Sequence, residues 1–321
     1  MISSLSEDCL AEDAIRTELA IMCQQETDTY HCDDYLEKLD QLRKPKHERT
    51  QSPVSVVFPH LPSWVEIHDQ LRVPLSPEDR QALVRFGYFI ADCCESNSCP
   101  RMTVEIAMSY FDRFMSTREA RKWLLFVDEA LRGTFVNLIF MTAIYLALKV
   151  HGRGSHLPID TIVQISGSNI SIEQVACMEE VFCKALQWRL HPPESGAYVC
   201  RLLDLVPSSI LSESLKKEIV ELSCVQLEVA VQDYALVPIS TSTLAYCSLK
   251  ISLESLVLDD SLGPLDMTPT DVQKVASIWV DALPTLDLSP STLKHVQDRL
   301  CIGIAQNYFH LGAQTDLSKL S

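Results

Sequence analysis

Apolar side chains recur every three or four residues through most of the chain, which is the spacing of amphipathic helices. In one such stretch Val104, Met108 and Phe111 fall on a single face. Residues 134–150 are apolar on nearly every side. Because this run is short for a membrane span and carries Asn137, it predicts a buried core helix. The pattern as a whole favours helix over sheet and predicts an all-α protein.

One acidic residue lies in an apolar setting. Asp112 follows Phe111 and precedes Phe114 and Met115, where an ionised carboxylate is costly unless a cation meets it. The ordinary interpretation is a core helix that ends in a surface ion pair. The alternative is that this helix needs a specific partner from elsewhere in the chain.

The charge of the chain and the motifs it lacks argue against two classes of function, nucleic-acid binding and catalysis. With 27 Lys and Arg against 43 Asp and Glu, the formal net charge is −16. This charge argues against DNA or RNA as a direct ligand, because phosphate binding needs clustered cations. The sequence has no Walker loop and no G-x-G-x-x-G, H-E-x-x-H or G-x-S-x-G motif. We therefore expect a binding protein rather than an enzyme.

Twelve cysteines raise the question of a metal site or of disulfides. Cys93, Cys94 and Cys99 cluster, but no CxxC pair or His-x-x-x-His follows at ligand spacing, so we expect neither a metal nor another cofactor. Cys183 lies in an apolar helical run, where a free cysteine acts as a small hydrophobe. Because no positively charged leader with an apolar stretch begins at Met1, we expect a reducing interior compartment.

Three segments in this order resemble a cyclin box: PEDRQALVRFGYF, YFDRFMS and CMEEVFCKALQW, with the apolar run FMTAIYLALKV between the second and the third. The five family-defining positions are occupied by the expected residues, Arg80, Asp112, Leu138, Lys149 and Glu179. The resemblance covers residues 76–190. It implies two tandem five-helix cyclin folds, the second weaker, with a short N-terminal helical extension.

Together with local start and stop signals, the resemblance predicts the positions of ten helices. Ser171 begins the last box helix with Gln174 in its first turn, and Pro192 with Pro193 stops it. The box helices are expected at residues 76–95, 102–116, 133–151, 158–165 and 172–186, and the later ones at residues 196–205, 212–231, 241–256, 270–282 and 292–311. The corresponding domains are an N-terminal helical and flexible extension (1–62), the N-terminal cyclin box (63–191), the C-terminal cyclin fold (192–314) and a tail (315–321).

The resemblance also implies two charge networks. Arg80 and Asp112 are expected to form a structural ion pair inside the box. Lys149 and Glu179 are expected at its edge, where cyclins use this lysine and glutamate to hydrogen-bond the backbone around the kinase's regulatory helix. The apolar socket for that helix is expected to consist of Leu138, Val150, Cys183, Trp188 and Leu190.

The implied function is that of a cyclin, a regulatory subunit that binds and activates a cyclin-dependent protein kinase in cell-cycle control. The implied partner presents a PSTAIRE-type helix and forms a heterodimer, with neither direct nucleic acid nor membrane as a ligand. The expected location is the nucleus, the cytoplasm or both. Two alternatives stay open: a cyclin-fold transcription adaptor, and a helical scaffold in which Lys149 and Glu179 are plain surface charges.

The chain departs from the family pattern at the surface with which cell-cycle cyclins dock Arg-x-Leu substrate motifs. The aligned positions are Asp79, Ala82, Leu83, Phe86 and Phe89. Leu83 and Phe86 keep part of the groove, whereas Asp79 and Phe89 replace the expected residues. We therefore expect a degraded docking patch.

Three other departures concern the middle of the box. Phe140 stands where a small residue is usual, so the central helix must pack differently. The extra piece TREARKWLLFVDEALRG is predicted to add one or two amphipathic helical turns. Lys149 is followed by Val150 and His151 in place of the usual aromatic and acid. This Val150-His151 pair and the end of the fifth helix, LQWRLHPP, are, with AMSYFDRF and the early DDYL, similar to the expanded cyclin set of diatoms and related algae.

Overall fold

The computed structural model describes residues 2–32, 34–35, 77–93, 101–127, 131–152, 158–166, 170–258 and 268–317. Every regular element in these ranges is helical, which confirms the all-α prediction. The part of the predicted extension after residue 35 lies outside the described residues. The described chain divides into two compact units, one of residues 32–192 and one of residues 1–31 together with 193–321.

The unit of residues 32–192 contains six described helices, the predicted five and one more. They are α2 (Pro77–Cys93), α3 (Met102–Ser116), α4 (Arg118–Phe126), α5 (Arg132–His151), α6 (Ile159–Ser166) and α7 (Ile172–Ala185). The α7 helix begins with the expected capping box, in which Ser171 and Gln174 each bond the other's backbone N–H.

Helix α5 is the centre of this unit and packs against α2, α3, α6 and α7. It is the one described helix that is long and apolar enough to cross a membrane, but 72% of its apolar window is buried inside the protein. An apolar surface on all sides is what a helix surrounded by neighbours requires. The sequence-based interpretation of residues 134–150 as a core helix agrees with this packing.

The large side chain of Phe140 on α5 is accommodated by a glycine on α2. Phe140 is 1% exposed, and its ring lies 6.4 Å from the rings of both Phe86 and Phe111. A Cβ atom at Gly87 would lie only 3.3 Å from the Phe140 ring and 3.0 Å from Val104. The small residue that the family usually has on the central helix is therefore replaced by a small residue on the facing helix.

The additional helix α4 is formed by the extra piece between the second and third predicted helices. Thr117 caps it by accepting a hydrogen bond from a backbone N–H of the first turn. Leu124 is buried, and the Trp123 ring lies 6.0 Å from the ring of Phe135 on α5. The insertion is thus a packed amphipathic helix of the unit, longer than the one or two turns that we predicted.

Among its described residues, the second unit has five α-helices after residue 193, as predicted, and one at the N-terminus. They are α8 (Ser195–Asp204), α9 (Glu213–Gln232), α10 (Thr241–Leu258), α11 (Pro269–Ala282), α12 (Pro290–Leu317) and the N-terminal α1 (Ile2–Gln25). Trp279 is fully buried at the centre, and its indole N–H donates to the carbonyl of Leu202 at 3.0 Å. Five helices here are compatible with a second cyclin fold, which stays a prediction.

The N-terminal helix packs into the core of the second unit. Leu19 and Cys23 of α1 are fully buried in the same cluster as the α8 to α12 side chains. Beyond α1, a π-helical turn places Glu26 at the start of α10, where its carboxylate accepts from the Ser242 amide at 3.1 Å. Helix α1 is therefore part of the core of this unit.

Candidate partner-binding site

Lys149 and Glu179 lie together at the edge of the first unit. Lys149 is in the last turn of α5 and Glu179 is in the middle of α7, and the distance from Nζ to Oε1 is 2.7 Å. The Lys149 side chain is 49% exposed and that of Glu179 is 20% exposed. The hydrogen bond to Glu179 raises the pKa of Lys149. Lys149 therefore stays charged near neutral pH, and both side chains reach solvent.

The predicted socket residues differ in exposure. Cys183 is one turn beyond Glu179 on α7 and is buried, Val150 is half-buried, and Leu190 is 9% exposed. Leu138 lies three turns before Lys149 on α5, about 16 Å away along the axis, and is 4% exposed. The assignment of these residues to a socket stays a prediction.

Trp188 is the most exposed large apolar side chain among the described residues, at 68%. Its assignment to the apolar socket stays a prediction. Gln187 and Trp188, which follow the end of α7, have positive φ angles of 55° and 59°. Non-glycine residues in this conformation cost on the order of 1 kcal/mol each or more. The turn is closed by backbone bonds from Trp188 to Cys183 and from Gln187 to Lys184.

The two carbonyls after this turn are held by side chains from other helices. Arg113 of α3 donates from both terminal nitrogens to the Arg189 carbonyl at 3.1 Å. The Tyr110 hydroxyl, also on α3, donates to the Leu190 carbonyl. His151 Nε2 lies 2.8 Å from the same carbonyl. Sequence reasoning missed these contacts. The available signal was that Arg113 directly follows Asp112, which indicates two charged side chains near the buried end of this helix.

Arg80 of α2 and Asp112 of α3 form a bidentate ion pair with N–O distances of 2.6 and 2.9 Å. The residues are 3% and 6% exposed. Burial by itself lowers the pKa of Arg80, but the adjacent Asp112 outweighs it and the net shift is upward. The Tyr35 hydroxyl donates to Asp112 Oδ1 at 2.8 Å, a contact across 77 positions that no local pattern indicates.

The predicted docking patch lies along the outer face of α2. Ala82 and Phe89 are exposed, while Asp79, Leu83 and Phe86 are half-buried. The Phe86 and Phe89 rings stack at 6.3 Å with an interplanar angle of 23°. An apolar strip is therefore present on this face, and Phe89 extends it where the family pattern has an acid.

Within the described part of the chain, no group of three or more His, Cys, Asp or Glu side chains could hold a metal ion. Cys23, Cys183 and Cys247 are buried free thiols. The side chains of Lys149 and Glu179 offer a hydrogen-bond donor and a hydrogen-bond acceptor that both reach solvent.

Part of the chain matches a known protein family. Residues 61–191 match the family model described as "Cyclin, N-terminal domain". These residues belong to the cyclin N-terminal domain family. The matched range includes Lys149 and Glu179, and also the buried ion pair between Arg80 and Asp112.

Two known proteins illustrate what this chain is similar to. A putative cyclin-B3-1 from Arabidopsis thaliana is 27% identical over 150 residues, which are 47% of this chain and 35% of that protein. The chain thus aligns with about a third of the length of that relative. The X-ray structure of a viral cyclin from herpesvirus saimiri is 12% identical, with a TM-score of 0.49 over 72% of this chain and 88% of the viral one.

Proposed function

We propose that this cyclin is the regulatory subunit of a cyclin-dependent protein kinase and activates it in cell-cycle control. The observation that carries the proposal is the ion pair between Lys149 and Glu179. Two helices bring these residues together from 30 positions apart, and the half-buried Val150 directly follows Lys149 in the chain. An edge of this kind suits a foreign helix that offers backbone polar groups and apolar side chains.

The exposure of the pair explains how it would serve a partner. An exposed ion pair contributes about 0–1 kcal/mol, so separating its members costs little. Once separated, the ammonium of Lys149 can donate to carbonyls and the carboxylate of Glu179 can accept from amides. Such charge-assisted bonds are roughly twice as strong as neutral ones and are directional. The pair is therefore a pre-placed donor and acceptor rather than a major source of stability.

The proposed mechanism is a shift of a conformational equilibrium in the kinase. Binding of the kinase's mobile PSTAIRE-type helix at this edge would favour the state in which that helix positions the ATP-binding lysine. A partner can shift such an equilibrium only by its difference in affinity for the two states. The cyclin would form a heterodimer, supply this binding energy and contribute no catalytic group. We propose that it acts in the nucleus, the cytoplasm or both.

The test is capture of a PSTAIRE-type cyclin-dependent kinase by the full chain, followed by a kinase activity assay on the captured complex. Lys149→Ala and Glu179→Ala are expected to reduce both capture and activity. Lys184→Ala is the matched control, because Lys184 pairs with Glu180 on the same helix and both side chains are about two thirds exposed. If Lys149→Ala, Glu179→Ala and the control all capture kinase as the parent does, the proposed role of the pair is wrong and a scaffold is favoured.

A further inference from the structure

The backbone around Trp188 is strained, and side chains from other helices hold it through hydrogen bonds. We call residues 187–190 the Trp188 turn. Gln187 and Trp188 both have positive φ, a conformation that side-chain-bearing residues rarely adopt. Strained backbone persists where the surroundings over-determine it, and it clusters at functional sites. An observed strain of this kind, next to an exposed indole, calls for an explanation from function.

The support comes from three side chains that converge on two consecutive carbonyls. Arg113 holds the Arg189 carbonyl, and Tyr110 and His151 both hold the Leu190 carbonyl. Tyr110 is fully buried and His151 is half-buried, so these bonds are shielded from water. Hydrogen bonds in such a setting are electrostatically stronger than on the surface.

The contacts of His151 define which of its nitrogens carries a proton. A carbonyl only accepts, so Nε2 must donate to the Leu190 oxygen at 2.8 Å. The same nitrogen lies 3.0 Å from the Tyr110 oxygen, which already donates its own proton to Leu190. The His191 ring stands 5.0 Å from that of His151, edge to face, and no hydrogen bond to the Leu190 carbonyl comes from it among the described contacts.

We propose that His151 and Tyr110 are positioning residues that fix the Trp188 turn in its outward conformation and thereby pre-organise the partner-binding edge. Neither side chain needs to touch the partner. The proposal rests on the proposed function for the identity of the partner, a kinase helix with an apolar pocket for the indole. Its structural part, that the two donors set the conformation of Trp188, concerns the free protein alone.

The physical basis is the fraction of molecules that are ready to bind. When only a fraction of the protein has the competent conformation, the apparent dissociation constant rises by the reciprocal of that fraction. Removing a donor from the Leu190 carbonyl lets the strained turn relax to other conformations. If about one molecule in ten keeps the outward Trp188, kinase binding weakens by about tenfold.

The binding test compares four variants of the full chain with the same PSTAIRE-type kinase. His151→Ala and Tyr110→Phe are expected to weaken binding by about five- to tenfold. His151→Gln is expected to restore most of the affinity, because the glutamine amide can place a donor where Nε2 stood. His191→Ala is the matched control and is expected to bind as the parent does. Equal binding by all four variants, or a loss with His151→Ala that His151→Gln does not restore, overturns the proposal.

A spectroscopic test of the free protein separates this inference from the proposed function. In protein labelled with 5-fluorotryptophan, the ¹⁹F resonance of Trp188 is assigned by its loss in Trp188→Phe. His151→Ala and Tyr110→Phe are expected to shift or broaden this resonance, while His151→Gln and His191→Ala leave it in place. The resonances of Trp123 and Trp279 report whether each unit is still folded. An unchanged Trp188 resonance in both Tyr110→Phe and His151→Ala refutes the positioning role, whatever the kinase experiments show.

Discussion

The buried ion pair between Arg80 and Asp112 gives the sharpest stability prediction. Arg80→Ala removes two charged hydrogen bonds of 2.6 and 2.9 Å and leaves the Asp112 carboxylate 6% exposed. Among the described contacts, the neutral hydroxyl of Tyr35 still donates to this carboxylate. Removing one member of a buried pair costs about 3–5 kcal/mol, because the remaining charge is left uncompensated. For a protein of this size that corresponds to a fall in melting temperature of roughly 10 °C.

The assay is urea and thermal unfolding followed by far-UV circular dichroism, with Arg101→Ala as the matched control. Arg101 also pairs with a carboxylate, Asp92, at 2.7 Å, but the two side chains are 46% and 59% exposed. The control should therefore lose less than about 1 kcal/mol. A second variant, Arg80→Met with Asp112→Leu, removes both charges and is expected to recover part of the loss. Similar destabilisation by Arg80→Ala and Arg101→Ala would refute the argument from burial.

Two further predictions concern titratable groups in the second unit. Burial raises the pKa of Glu26 even though the Ser242 amide and hydroxyl oppose the shift. The folded protein therefore binds this proton more tightly than the unfolded chain, and the stability due to Glu26 falls as pH rises from about 4.3 through the raised value. Melting temperatures across this range should thus decline for the parent relative to Glu26→Gln, and a flat difference would contradict this. Burial raises the pKa of Cys247 to about 12, so a thiol reagent at pH 8 should label exposed Cys301 and leave Cys247 unmodified until the protein unfolds.

The positions of the helices could be predicted from the sequence because their signals are local. The α3 helix occupies the predicted range 102–116, and α7 begins at the residue that follows its Ser171 cap. Apolar periodicity and capping depend on neighbours within a few residues, and both are legible along the chain. Residues 134–150 have apolar side chains on nearly every side, and this was also informative. A helix with no polar face is stable in a globular protein only when it is buried in the core.

The candidate site was predicted less completely, because its parts depend on contacts between distant segments. The resemblance to a cyclin box named Lys149 and Glu179 as neighbours, and their Nζ–Oε1 distance is 2.7 Å. It gave no indication that Trp188 has a positive φ angle or that its side chain is exposed. Bulky residues seldom adopt this backbone conformation, so no local pattern predicts it.

By itself, the sequence determined the all-helical class, the helix positions, the need of Asp112 for a cation and the likeness of residues 76–190 to a cyclin box. Only the tertiary structure decided that Tyr35 joins that cation at Asp112, that Gly87 makes room for Phe140, that α1 packs with α8 to α12, and that Tyr110 and His151 share the Leu190 carbonyl. The reason is physical: periodicity and caps act between residues a few positions apart. The fit of one side chain against another depends on segments that meet only after the chain has folded.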